Sequence, residues 1–345
     1  MTIQATSGIS KAWLSPTSAA KLLACPAAVS RLPFGTRPVP NESVPNNAGS
    51  LAHLAVQRWV ETGGWRRAAS YPSLAETYRQ EAEDGGVTLE LLDDGRTTES
   101  RLRVQEPLLA EAIDSYVGVN GTASAEKLMY DDDNLLWGKV DLLLEGDNGA
   151  TVIDLKSGAD AADGSLPEAI LTQLMVYAML VFANRRSWPA TLAIFSLRTG
   201  LRTIAVTELE LHTLLTRLQS TRDAWASGHR PAIPSTRGCR YCARRFECTA
   251  HWNIVDEWED PDAIEGILEG VEYAANGKSS LVLRSNRGKA WISGVPSGTA
   301  SGLLIGTMTR AVRLRRSRRK LHDLQDREIW YATDRSDFRT MPIDN

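Results

Sequence analysis

The stretch WGKVDLLLEGDNGATVIDLKSG, residues 137–158, decides the reading of this chain. Two apolar runs flank Gly146-Asp147-Asn148-Gly149, a pattern that predicts a β-hairpin within a sheet. Each run carries charge where a buried strand should have none: Asp141 in the first, Asp154 and Lys156 in the second. Side chains two apart on a strand share a face, so Asp154 and Lys156 point the same way. Asp154 sits between Ile153 and Leu155, and a carboxylate beside a core needs a cationic partner. Two carboxylates can hold hard Mg2+ or Mn2+, and a neighbouring lysine can stabilise charge developing on a phosphodiester. An Asp-x-Lys alone is more often a surface ion pair, so its surroundings must decide.

Working outward, the spacing predicts a helix over Leu14 to Leu32 and a second one after the small residues Ala48-Gly49-Ser50, carrying His53 and closed by Gly63-Gly64. Residues 66–117 read as short polar helices broken at the Asp-Gly-Gly and Asp-Asp-Gly turns starting at 84 and 93. Ala125 to Tyr130, Leu135 to Glu145 and Ala150 to Leu155 read as three strands of a meander. Residues 167–183 form a helix apolar nearly all round, hence a buried one, with Gln173 and Tyr177 one turn apart on one face. Strands over Thr191 to Leu197 and Leu201 to Val206, then a helix from Glu208 to Ser227, complete an α/β order.

In this order the motifs resemble the RecB-like branch of the PD-(D/E)XK nuclease superfamily: small residues then His over Gly49 to His53, G-x-x-D over Gly138 to Asp141, D-x-K over Asp154 to Lys156, and Q-x-x-x-Y over Gln173 to Tyr177. The resemblance implies a restriction-endonuclease-like core, a central mixed sheet flanked by helices. It implies that His53, Asp141 and Asp154 are ligands of Mg2+ or Mn2+, that Lys156 is the catalytic lysine, and that Gln173 and Tyr177 order the site or touch substrate. The activity implied is an exonuclease on DNA, chiefly on single-stranded ends, in repair, recombination, phage replication or defence. The rival reading is a DNA-loading or spacer-processing partner of a helicase, recombinase or CRISPR integrase, with little cleavage of its own. A homo-oligomer is compatible with the family.

The chain has four cysteines: Cys25, then Cys239, Cys242 and Cys248 in GCRYCARRFEC. C-x2-C-x5-C is one ligand short of a tetrahedral site, and Cys25 can complete it if the two segments meet. Four thiolates suit Zn2+ or an iron-sulfur cluster equally by their chemistry. The arrangement also resembles the AddB-type and CRISPR-adaptation nucleases, where one N-terminal and three C-terminal cysteines bracket the core, and that resemblance implies a [4Fe-4S] cluster acting as a staple.

Length and composition fit a soluble α/β protein of one or two domains: 345 residues, 43% hydrophobic and 23% charged. No leader-like start and no long apolar run is visible, so a cytoplasmic setting with reduced thiols and no membrane contact is expected. The formal net charge of -3 seems to argue against nucleic acid, yet residues 273–320 carry eleven Lys and Arg and no Asp or Glu. The expected plan is a nuclease domain over 14–255, an acidic linker over 256–265, and a basic β-rich, OB-like domain over 266–345. There Arg310, Arg313, Arg315, Arg316, Arg318, Arg319 and Lys320 would neutralise phosphates, and Trp291, Trp330 and Tyr331 would stack on bases. Asn276 to Ser280 ends like a phosphate-binding loop, but Glu272 stands where the first glycine is required, so no ATPase engine is expected.

Overall fold

The computed structural model describes residues 12–40, 45–66, 70–158, 166–317 and 327–341. The chain divides into two compact units, Met1–Ala24 with Val29–His229, and Cys25–Ala28 with Arg230–Asn345. It is a mixed α/β protein whose first unit is a helix-flanked mixed sheet and whose second is β-rich.

In the first unit, helix α1 (Pro16–Ala24) is shorter than the spacing predicts. Pro26 disfavours a helical Cys25 and ends it. Helix α2 (Ala48–Glu61) starts at Asn47, whose side chain accepts the Ser50 N–H. Helix α3 (Leu74–Asp84) starts at a reciprocal Ser73–Glu76 capping box. Helix α4 (Gly95–Val117) is one continuous element despite Pro107 within it. The expected break at 93 lies just before its start, where Asp94 takes a left-handed φ of 61° as the capping residue, but the helix that follows is longer than the expected short pieces. Burial of Leu102, Leu109, Ile113 and Val117 outweighs what the proline costs.

Strands β1 (Thr122–Asp131), β2 (Leu136–Gly146) and β3 (Gly149–Lys156) form the expected antiparallel meander. Helix α5 (Glu168–Arg185) crosses to β4 (Thr191–Ser196), which pairs parallel with β3, and β5 (Gly200–Ile204) closes the order β1-β2-β3-β4-β5. Helix α6 (Glu208–Ala226) follows from the Thr207–Glu210 capping box. One core joins α1, α5 and α6 to the sheet, and a second joins α2, α3 and α4 to its other face.

Along β2, Leu136 and Val140 enter the first core while Leu142 and Leu144 enter the second. All four would share a face in a regular strand. The facing therefore shifts by one residue at Asp141. Glu126, the β1 position opposite, has a left-handed φ of 49°.

In the second unit, β6 (Ala263–Tyr273), β7 (Lys278–Ser285), β8 (Gly288–Pro296), β9 (Met308–Val312), β10 (Arg315–Arg316), β11 (Arg327–Tyr331) and β12 (Asp337–Thr340) form a seven-stranded sheet ordered β10-β11-β8-β7-β6-β9-β12. It is β-rich as expected, with seven strands where an OB barrel has five. The unit begins earlier than the composition suggests. Asp262 at the end of the acidic stretch pairs with buried Arg245, and Phe246, Trp252, Val255, Ala263 and Val312 share one small core, so residues 256–262 are packed into this unit.

Candidate active site

The site forms where the β2–β3 ladder ends. Backbone pairing runs from Gly146↔Gly149 to Leu142↔Ile153, and Asp141 and Asp154 are the next positions along the same register. There a side chain replaces the ladder: the Leu155 N–H donates to Asp141 Oδ2 at 2.8 Å. Asp154 is 1% exposed. Lys156 Nζ donates to Asp154 Oδ1 at 3.0 Å and to Gln173 Oε1 of α5 at 3.1 Å. Asp154 Oδ2 lies 2.8 Å from the same ammonium, without hydrogen-bond geometry, and is otherwise buried without a partner. Tyr177, one turn beyond Gln173, lines the same pocket as His53 and Asp141.

His53 enters from the start of α2, its Nδ1 3.7 Å from Asp141 Oδ1. Two glycines permit this assembly. A Cβ on Gly49 would lie 2.7 Å from Ser157 Oγ, and one on Gly138 would lie 2.8 Å from Pro16 Cδ. Gly138 thus lets β2 close on α1, and Gly49 lies against the Ser157 hydroxyl just past β3.

The structure adds one group that sequence reading passed over. Glu126 occupies the β1 position facing Asp141, between the pairs Ala125↔Leu142 and Lys127↔Val140, and its Oε1 is 3.5 Å from His53 Nδ1. One ligand atom each from His53, Glu126 and Asp141 lie within 4.8 Å of one another. In the sequence Glu126 is merely the polar position of an alternating strand, and nothing in the spacing marks it. His53, Glu126, Asp141 and Tyr177 line an open pocket of about 760 Å³, with Asn47 and Ser50 at its rim.

The electrostatics are those of crowded, buried carboxylates. Burial, and repulsion from Asp154 and Glu126, push Asp141 up to about 7 against the opposing pull of His53. Burial also raises Asp154, while Lys156 opposes it. Burial lowers His53, but Asp141 and Glu126 outweigh that and hold it above its ordinary value. Burial and the same carboxylates drive Tyr177 well above the ordinary phenol range, so its hydroxyl stays protonated. A divalent cation fits the converging donors His53, Glu126 and Asp141, an imidazole and two carboxylates, while Asp154 stands outside that group with both oxygens close to Lys156.

Within the second unit, Cys25 Sγ accepts the Ile233 N–H at 3.3 Å, and Arg244 donates to the Ala27 carbonyl at 2.8 Å. Helix α7 (Thr236–Arg240), capped by Ser235, carries buried Cys239. Tight turns, Cys242 N–H to Cys239 O and Cys248 N–H to Arg245 O, shape the loop that carries the other two cysteines. All four thiols are free of disulfides. Burial, with Cys242 and Cys248 nearby, pushes the Cys239 thiol up, a penalty that a thiolate-bound metal would offset.

The basic residues are more occupied than their count suggests. Arg310 pairs with Glu265 and stacks over Trp252, Arg313 pairs with Asp337, and Arg316 pairs with Glu328 at 2.6 Å and lies over Trp330. Arg315 is exposed, with its guanidinium 5.5 Å from the Tyr331 ring centre. Trp291 is half-buried on β8. Arg318, Arg319 and Lys320 lie outside the described residues. Partitioning charge by sequence window missed the pairing, because the acidic partners come from 256–272 and 328–337.

A family model of the PD-(D/E)XK nuclease superfamily matches residues 13–249, a span that includes His53, Asp141, Asp154, Lys156 and all four cysteines. The chain belongs to the PD-(D/E)XK nuclease superfamily. That membership makes it a nuclease of a class that uses divalent metal ions and acts on DNA. No curated protein matches the chain. Among the described residues, no helix is long and apolar enough to cross a membrane.

Proposed function

We propose that the chain is a RecB-like exonuclease that hydrolyses DNA from single-stranded ends, with a [4Fe-4S] cluster on Cys25, Cys239, Cys242 and Cys248. The observation carrying the nuclease chemistry is the adjacency of two buried carboxylates, Asp141 and Asp154, beside a lysine and a histidine. In this reading His53, Asp141 and Asp154 hold Mg2+ or Mn2+. The ion supplies a polarised phosphodiester and a water of lowered pKa. Lys156, steered by Gln173, presents its ammonium where a phosphoryl oxygen gathers charge. Tyr177 keeps its proton and lines the pocket beside the carboxylates, where it can touch substrate. Exposed Arg315 over Tyr331 offers one place for a strand to stack and pair its phosphate, and Trp291 and the basic residues near it are proposed to extend that contact.

End-labelled single- and double-stranded DNA, digested with Mg2+ or Mn2+, tests the reading. Loss of label from single-stranded ends is expected, and Lys156→Ala should stop hydrolysis while leaving DNA binding intact. Undiminished cleavage by Lys156→Ala overturns the assignment.

A further inference from the structure

Resting on the nuclease reading, we propose that Glu126 is a further side-chain ligand of the catalytic cation, and that the centre is thereby built for Mn2+ over Mg2+. The motif residues provide one imidazole and two carboxylates. Glu126 adds a third carboxylate from a strand outside every motif.

The geometry favours a shared cation over a simple ion pair. Glu126 Oε1 and Asp141 Oδ1 stand 3.5 and 3.7 Å from His53 Nδ1, long for hydrogen bonds. Donors at right angles around an ion at 2.0 to 2.2 Å are themselves about 3 Å apart, so these separations are close to those of ligands converging on one point. Like charges directly opposite on paired strands repel, and Glu126 and Asp141 hold that relation. Asp154, next in the same row, has its buried Oδ2 2.8 Å from the Lys156 ammonium. The Lys156 ammonium is taken by Asp154, so Glu126 and Asp141 share one imidazole, a balance that a divalent ion would complete.

The choice of metal follows from the donors. Mg2+ demands near-ideal octahedral geometry, keeps several waters and is usually held by one or two carboxylates. A crowded set of three carboxylates and an imidazole is better suited to Mn2+, which tolerates nitrogen and gives up water more readily.

The test uses the full-length protein. Mn2+ is titrated, with free ion read by its electron paramagnetic resonance signal, and Tm is measured in EDTA. Glu126→Gln removes the charge. Glu126→Gly removes the carboxylate while accommodating the positive φ, so a folding defect in the first variant does not decide the outcome. Both should weaken Mn2+ binding by about tenfold or more, with Tm in EDTA unchanged or raised, and Mg2+ should compete better against Mn2+ than in the wild type. Wild-type Mn2+ affinity in both variants, with a lowered Tm in EDTA, overturns the inference and leaves Glu126 as a structural partner of His53. Asp154→Asn separates the two claims. If it loses Mn2+ while the Glu126 variants keep it, only this inference falls; if the wild type itself binds none, the nuclease reading falls with it.

Discussion

The Leu155 N–H donates to Asp141 Oδ2 at 2.8 Å, and the other oxygen of the same carboxylate faces His53. Asp141 therefore terminates the β2–β3 ladder and offers its remaining oxygen to the site. Asp141→Asn keeps an acceptor for Leu155 but removes the charge. Cleavage should fall by at least about 100-fold, since an ion stabilises the transition state by several kcal/mol, while Tm stays at or above that of the wild type. Measuring rate and Tm on one preparation checks both; a large loss of Tm would show that Asp141 is structural first.

Stability should depend on pH in a direction set by the raised carboxylates. Asp141 titrates near 3.8 in an unfolded chain and about 7 in the folded one, so between those values the native state binds more protons and loses stability as pH rises. His53, also raised, has the same sign, because its contribution is lost as pH climbs through its folded value. In EDTA, Tm should fall from pH 6.5 to pH 8, above the range in which His251, pushed down to about 4 by burial, acts with the opposite sign. The increment from added Mn2+ should grow over the same range, since protons and metal compete for the same oxygens. A Tm in EDTA that rises across this range contradicts the electrostatic account.

Gly49 is a packing glycine. Alanine there should gain helix propensity, yet its methyl would meet Ser157 Oγ at 2.7 Å and Asn47 Oδ1 at 3.2 Å. Shifting the first turn of α2 moves His53. Gly49→Ala should slow cleavage by about tenfold, a cost at the low end for overpacking, and adding Ser157→Gly should restore most of it. Kinetics of the two single variants and the double variant test this; absence of rescue would place the fault elsewhere.

Arg245 is 2% exposed and donates to both Asp262 oxygens and to His251 Nε2 at 2.9 Å. Arg245→Met leaves Asp262 only the long 3.8 Å contact to Arg240, and breaking a buried pair costs up to about 3 to 5 kcal/mol. Tm should drop sharply, and the cysteine loop between 239 and 248 should become sensitive to protease. Limited proteolysis with mass spectrometry reads this directly.

The cysteine site has its own test. Anaerobically purified protein should be brown and contain iron, and Cys25→Ser should lower iron content and Tm together before any catalytic defect appears in surviving protein. Zinc in place of iron in a colourless wild type would refute the cluster and leave the nuclease site untouched.

Much of the first unit was legible in the sequence because its signals are local. Strand alternation, the Gly-Asp-Asn-Gly turn and the apolar helix read over 167–183 give the β1-β2-β3-α5 order, and Asp154 and Lys156 declare themselves as charges inside an apolar strand. The breaks at 84 and 93 were legible, since α3 ends at Asp84 and α4 begins at Gly95, but the length of α4 was missed because its polar sequence reads as short pieces, whereas buried leucines hold it together through contacts distant in sequence.

The sequence by itself determined the family resemblance, since His53, Asp141, Asp154, Lys156, Gln173 and Tyr177 stand in motif order with recognisable spacing. Only the tertiary structure decided that Glu126 belongs beside them, because its place depends on a β1–β2 register and a left-handed backbone that leave no periodic trace. The same holds for charge. Composition counts the arginines of 273–320, but pairing with Glu265, Glu328 and Asp337 is a matter of strand neighbours, so which cations stay free for a nucleic acid is set by the fold.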